Sequence, residues 1–259
     1  MTSQSGGLSV RHLQMSAEGR HLTDDSAESE ATLHEALHDI LAHATKQVAA
    51  IGGTIRHVKS LSLYECQEYF ERVGGPKPNP ENKSVCMRPD GGVIIATVKG
   101  KDYPLFLGED KVQGTNDNLF AQGKKKQALG NAIERGAKNI RGAEMLFAGM
   151  RIFPYVLFAS GCDFHSSESI AKRIEMMNMG VPNHSIYLSK DTTAEEVAKK
   201  VDTIADAIRI QKVCGIGTAT VLVKAHKYDE MPHGASRWTK PEIVKLCCKV
   251  IDLAIKEIS

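Results

Sequence analysis

The sequence predicts a protein of the α/β or α+β class, built on a mixed sheet. Two observations carry this. Apolar or alternating runs of strand length recur at 93–98, 103–111, 153–160, 185–188 and 218–225. Longer stretches with apolar residues at helical spacing lie around them, and strands that alternate with helices bury both faces of a sheet. The bulk supports a sizeable core: 259 residues, 42% hydrophobic and 25% charged, are ordinary values for a globular chain.

Each element follows from its local spelling. Residues 1–28 are rich in Ser, Thr, Asp, Glu and Gly and read as a flexible arm, with 29–259 as a single domain. A helix over about 32–49 ends at Gly52-Gly53, and 61–73 reads as a second helix. GGPKPNPENK (74–83) is a loop. VIIATV (93–98) and YPLFLGEDK (103–111) are strands joined by a tight turn at GKD (100–102), a hairpin. Residues 118–149 are mostly helical in pattern, broken at glycines 123, 130, 136 and 142. FPYVLFAS (153–160) is a buried strand, SIYL (185–188) a weak one, and TATVLVKA (218–225) another. Helices cover 194–210 and 241–258, the last with Pro241 in its first turn.

Composition excludes several classes. A net charge of +2 is no polycation, so any nucleic-acid surface must be a local patch. Six cysteines without a CxxC pair suit free thiols in a reducing cytoplasm. There is no apolar run of membrane-spanning length and no signal peptide, and a membrane partner is not expected.

One spelling points to zinc. His34-Glu35-Ala36-Leu37-His38 places two imidazoles on one helical face with a carboxylate between them, as in zinc peptidases. The same residues also read as a helix start: Thr32 and Glu35 have capping-box spacing, and Leu33, Leu37, Ile40 and Leu41 make an apolar stripe. No third ligand follows in the usual pattern.

A second constellation suits a hard cation. Asp90 precedes two glycines at the mouth of the first hairpin strand, and Glu109 and Lys111 end the second. Strand side chains alternate, so Glu109 and Lys111 face the same way, roughly 7 Å apart along the strand. The hairpin folds Asp90 back beside them. Two carboxylates and the Asp110 carbonyl can hold Mg²⁺ with positions open for water and a phosphate oxygen. Lys111 would then stand where charge builds during phosphodiester hydrolysis. The plainer reading is a turn followed by a surface ion pair.

A third constellation suits DNA. In Gly130-Asn131-Ala132-Ile133-Glu134-Arg135, Asn131 and Arg135 share a helical face. Asn pairs with the adenine edge, Arg reaches purine acceptors, and Ala132 fits a thymine methyl. Gly130 lets the backbone approach, Glu134 can fix Arg135, and Lys124, Lys125 and Lys126 can neutralise phosphates. Arg237 is a further phosphate candidate. An exposed helix with ordinary polar pairs is the plainer reading.

Together these blocks resemble the EcoRI-type restriction endonucleases, a branch of the PD-(D/E)xK nucleases. Pro89-Asp90-Gly91-Gly92, Glu109-Asp110-Lys111-Val112-Gln113-Gly114, Gly130 to Arg135 and Phe153-Pro154-Tyr155-Val156-Leu157-Phe158 stand in the family's order. The dense resemblance covers roughly 85 to 160. It implies an α/β restriction-endonuclease-like fold with an about five-stranded mixed sheet flanked by helices. It implies Mg²⁺ on Asp90 and Glu109, with Lys111 as the catalytic lysine. Gly130, Asn131, Ala132 and Arg135 would read an inner AATT, supported by Glu134, and Arg173 would address the outer base pair. A methionine, Met176 or Met177, stands where a further arginine is expected, so the site is GAATTC, another palindrome around AATT, or AATT alone. The resemblance further implies a homodimer on double-stranded DNA, staggered cuts with 5′ overhangs, and a cognate DNA methyltransferase in the same restriction–modification system.

The expected function is therefore a type II restriction endonuclease that leaves 5′-phosphate and 3′-hydroxyl ends. A non-cleaving AATT-specific DNA-binding protein and a zinc metallopeptidase through His34 and His38 are the alternatives.

Overall fold

A computed structural model describes residues 24–75, 85–112, 140, 143–150, 153–161, 172, 185–189, 220–225 and 237–259. Helix α1 spans Asp24–Ala49, followed by strands β1 (Thr54–Val58) and β2 (Leu61–Ser62) and helix α2 (Leu63–Glu71). Strands β3 (Cys86–Met87), β4 (Val93–Val98), β5 (Lys101–Val112), β6 (Tyr155–Ser160), β7 (Ser185–Ser189) and β8 (Thr220–Ala225) come next, and helix α3 (Lys240–Ile258) ends the chain.

The main sheet runs β1-β4-β5-β6-β8-β7. The first three strands pair antiparallel and the other contacts are parallel, so the sheet is mixed. It has six described strands where about five were expected. The added one is β1, whose spelling TIRHV carries two long polar side chains and gives a weak apolar signal. Strands β2 and β3 form a separate two-stranded ribbon.

Helices cover both faces. On one, Leu33, Ile40, Ala44 and Val48 of α1 and Leu246, Val250 and Ala254 of α3 pack on Ile94, Ala96, Phe106, Val156 and Phe158. On the other, Cys66 and Tyr69 of α2 and Ile140, Ala143, Leu146 and Phe147 pack on Val93, Ile95, Leu107, Tyr155 and Leu157. Residues pointing alternately into two apolar layers explain why β4 and β6 read as continuous apolar runs.

Four local expectations are corrected. Helix α1 begins at Asp24, so residues 24–28 of the expected arm are helical. Thr32 is therefore inside the helix, its hydroxyl donating to the Glu28 carbonyl at 2.9 Å, and it caps nothing. Capping boxes are formed instead by Ser62 and Glu65 before α2, which starts at Leu63, two residues inside the helix expected from 61, and by Thr239 and Glu242 before α3. The hairpin turn is Lys99-Gly100 rather than 100–102, with both residues at positive φ, which suits a two-residue turn matching the strand twist. Trp238 is buried. It stands edge-on to Phe158 at 5.4 Å between ring centres, and its Nε1 donates to the Ala159 carbonyl at 3.0 Å. The helix expected over 194–210 lies outside the described residues.

Candidate active site

The β4–β5 register builds the site. Val98 pairs with Lys101 and Ile95 with Pro104, but Ile94 pairs with Phe106. A bulge at Leu105 thus sits beside Pro104, the kind of place where a strand tolerates proline. The extra residue puts Leu105 and Phe106 on the same core face. From there the alternation is inverted, and Leu107, Glu109 and Lys111 share the face away from α1 and α3.

The chain before β4 closes onto this strand end. Gly91 N donates to the Gly108 carbonyl at 2.9 Å, and Gly92 N to the Pro89 carbonyl at 2.9 Å. A Cβ on Gly91 would lie 3.2 Å from the Gly108 oxygen, so the two backbones approach closely enough that a side chain there would be tight. Asp90 then meets the tip of β5. Its amide donates to Glu109 Oε2 at 3.2 Å, and its Oδ2 accepts from the Asp110 amide at 3.0 Å.

Lys111 lies between the two carboxylates. Its Nζ is 2.6 Å from Asp90 Oδ2, 2.9 Å from Glu109 Oε1 and 2.7 Å from the Asp110 carbonyl oxygen. Glu109 is 2% exposed, and its burial pushes the carboxyl above the usual glutamate range, with Lys111 opposing and Asp90 adding to the rise. Burial works to lower the Lys111 ammonium, but the Glu109 and Asp90 carboxylates outweigh it and hold the group above the ordinary lysine value. Lys111 is thus a fixed cation among acceptors.

Asp110 faces the other way. Burial pushes its carboxyl up to about 6, against the lowering effect of a hydrogen bond from Ser29 on α1. Its carbonyl, not its carboxylate, joins the Asp90–Glu109 cluster. The donor set fits a hard divalent cation: two carboxylates and a backbone carbonyl, all oxygen, with one negative charge beyond what Lys111 balances when both acids are ionised. Asp90, Glu109, Lys111 and Asp110, all singled out from the sequence, are brought together.

The peptidase spelling is not. His34 Nε2 lies 3.1 Å from the Asp90 carbonyl oxygen, whereas His38 Nδ1 lies 3.2 Å from Asp39 Oδ1 and points elsewhere. Among the described residues no three His, Cys, Asp or Glu side chains gather as a metal site, and His34 addresses the Asp90 peptide instead. Arg237 pairs with Glu28 of α1.

Three neighbours of the cluster had no site role expected from the sequence, although Tyr155 lies in one of the family-like blocks. Ser29 reaches Asp110, and His57 of β1 places Nε2 3.0 Å from the Gly91 carbonyl oxygen. Tyr155 is fully buried, and among the described residues its hydroxyl has no hydrogen-bond partner. Burial, with Glu109 and Asp90 adding to it, holds its phenol well above the ordinary value. Each acts across the fold, and β1 itself was missed. The base-reading candidates Gly130, Asn131, Ala132, Glu134, Arg135 and Arg173, with Lys124, Lys125 and Lys126, lie outside the described residues.

Comparison with known proteins decides the family. The profile of "Restriction endonuclease EcoRI" matches residues 22–259. The chain belongs to the EcoRI restriction endonuclease family. A curated relative, the type II restriction enzyme RsrI of Cereibacter sphaeroides, is 26% identical over 194 residues. That match covers 68% of this chain and 66% of the relative, just under two thirds of its length. The mixed sheet flanked by helices is the EcoRI family's α/β architecture, and dependence on a divalent metal goes with the family. Among the described residues no helix is long and apolar enough to cross a membrane.

Proposed function

We propose that this chain is a Mg²⁺-dependent type II restriction endonuclease that cuts double-stranded DNA at a palindrome centred on AATT. The observation that carries the reading is the Asp90–Glu109–Lys111 cluster, with Lys111 Nζ within 2.9 Å of both carboxylates. Family membership over 22–259 and similarity to a type II restriction enzyme support it.

Asp90, Glu109 and the Asp110 carbonyl would hold the cation. When bound, Mg²⁺ supplies charge neutralisation at the attacked phosphate and lowers the pKa of a coordinated water. Lys111 hydrogen-bonds the attacking water and steadies charge on a non-bridging phosphate oxygen. The water oxygen forms a bond to phosphorus in line with the 3′-oxygen, loses its proton to solvent, and the P–O3′ bond breaks. The 3′-oxygen takes a proton, leaving a 3′-hydroxyl and a 5′-phosphate.

Gly130, Asn131, Ala132 and Arg135, supported by Glu134, read the inner AATT. Arg173 addresses the flanking pair, and Lys124, Lys125 and Lys126 neutralise backbone phosphates. A palindrome calls for a two-fold reader, so the working form is a homodimer. A cytoplasmic setting with a cognate methyltransferase that protects host DNA completes the reading.

Glu109→Ala tests it. The variant should lose cleavage of duplex DNA yet still bind it. Cleavage at the wild-type rate by Glu109→Ala contradicts the assignment.

A further inference from the structure

Two imidazoles from different elements bear on one turn. His34, on α1, has Nε2 3.1 Å from the carbonyl oxygen of Asp90. His57, on β1, has Nε2 3.0 Å from the carbonyl oxygen of Gly91. A carbonyl only accepts, so both Nε2 atoms carry the proton and donate. The turn between them is the one that presents the Asp90 carboxylate to Glu109 and Lys111.

The fit beneath His57 is close. Gly92 stands at φ +67, and a Cβ on it would lie 2.4 Å from His57 Nε2 and 2.7 Å from the Val58 carbonyl oxygen. The turn's backbone is therefore seated against the imidazole and the edge of β1. From the other side α1 supplies His34, and Ser29 on the same helix bonds the neighbouring Asp110 carboxylate. Two consecutive peptide carbonyls are thus held from two directions by side chains that do not touch the reacting atoms.

We propose that His34 and His57 are positioning residues, a clamp on the Asp90-Gly91 peptides that fixes the Asp90 carboxylate for cation binding. The inference rests on the reading of Asp90 as a metal ligand. Without the two donors the turn keeps its glycines and its bond to Gly108, but the carboxylate loses its fixed bearing. Groups that orient a ligand in this way typically change metal affinity by tenfold or more when removed.

The test measures Mn²⁺ binding to the full-length protein by the loss of free-ion paramagnetic signal, with thermal melting in EDTA alongside. His34→Phe, His57→Phe and the double variant keep ring volume and lose the donor. His57→Gln retains an N–H donor, and Asp90→Asn is the control. The clamp predicts a Kd for Mn²⁺ raised on the order of tenfold in the double variant. It also predicts a smaller rise in each single variant, a largely restored affinity in His57→Gln, and a folded melt throughout. Should His57→Phe fail to fold against Gly92, the smaller His57→Ala, which also lacks the donor, takes its place beside His34→Phe and is compared with His57→Gln. Wild-type Mn²⁺ affinity in the folded variants that lack a donor, with weakened binding in Asp90→Asn, overturns the clamp and leaves Asp90 as ligand. Wild-type affinity in Asp90→Asn overturns both the ligand assignment and the clamp built on it.

Discussion

Lys111 Nζ stands 2.6 Å from Asp90 Oδ2, joining residues twenty-one positions apart across the β4–β5 hairpin. The same ammonium is 2.9 Å from Glu109 Oε1. Two carboxylates so close repel unless a cation lies between them, and here the cation is built into the strand. Lys111→Met removes it while keeping the stem. Single-turnover cleavage should fall by about a hundredfold or more, the scale of losing one preorganised donor at a developing charge. DNA binding measured in Ca²⁺ should persist. A rate within threefold of wild type would remove Lys111 from the chemistry.

Gly92 is required by two constraints at once. Its φ of +67 disfavours any L side chain, and a Cβ would meet both His57 and the Val58 carbonyl. Gly92→Ala should cost roughly 1–3 kcal/mol and disturb the Asp90 turn. Melting and Mn²⁺ binding should both weaken. Gly100→Ala is the contrast: it shares positive φ but meets nothing within 4 Å, so only its melt should shift.

How much of this was legible in the sequence depends on the range of the interaction. Asp90, Glu109 and Lys111 were legible because strand alternation and a hairpin bring them together by local rules. The face they share was not, because the bulge at Leu105 inverts the alternation and only the Ile94–Phe106 register reveals it. Thr32 misled because capping-box spacing recurs inside helices, and nothing local says that α1 already began at Asp24. Strand β1 was hidden by its polar residues: Arg56 is tied to Asp102 at 3.1 Å and His57 to Gly91, both partners far along the chain. His34 drew notice for a zinc motif and proved to address a backbone carbonyl of the acidic site.

Asp110 gives a pH signature in metal-free buffer. Its buried carboxyl titrates at about 6, against an ordinary value of 3.8. The folded state holds this proton more tightly than the unfolded chain does, so folding is favoured while the group is protonated. That advantage is complete below the unfolded value and is lost as pH rises through the folded one, roughly pH 4 to 6. Asp110→Asn removes the cost of the buried charge while its side-chain oxygen still accepts from Ser29. The variant should exceed wild-type stability at pH 8 by up to about 3 kcal/mol, with the gap closing by pH 4, as urea melts at both values would show. A variant less stable than wild type at pH 8 would refute the assignment.

Tyr155 carries a buried hydroxyl with no partner among the described residues, close to the acidic cluster. Tyr155→Phe should leave stability unchanged or raise it by about 1 kcal/mol, since no bond is broken and an unsatisfied polar group is removed. Phe158→Ala, in the opposite layer against Trp238, should cost about 3–5 kcal/mol by leaving a cavity. Thermal melts compare the two, and a destabilised Tyr155→Phe would mean that the hydroxyl has a role in the folded state.

The most direct test of the central claim is a digest of a fully sequenced plasmid by wild-type protein in Mg²⁺, with every new end sequenced. The account predicts discrete ends from cuts at palindromes centred on AATT, bearing 5′-phosphates and 3′-hydroxyls, and none with Glu109→Ala. Well-folded protein that leaves the plasmid intact in both Mg²⁺ and Mn²⁺, or cuts without regard to AATT, would contradict it.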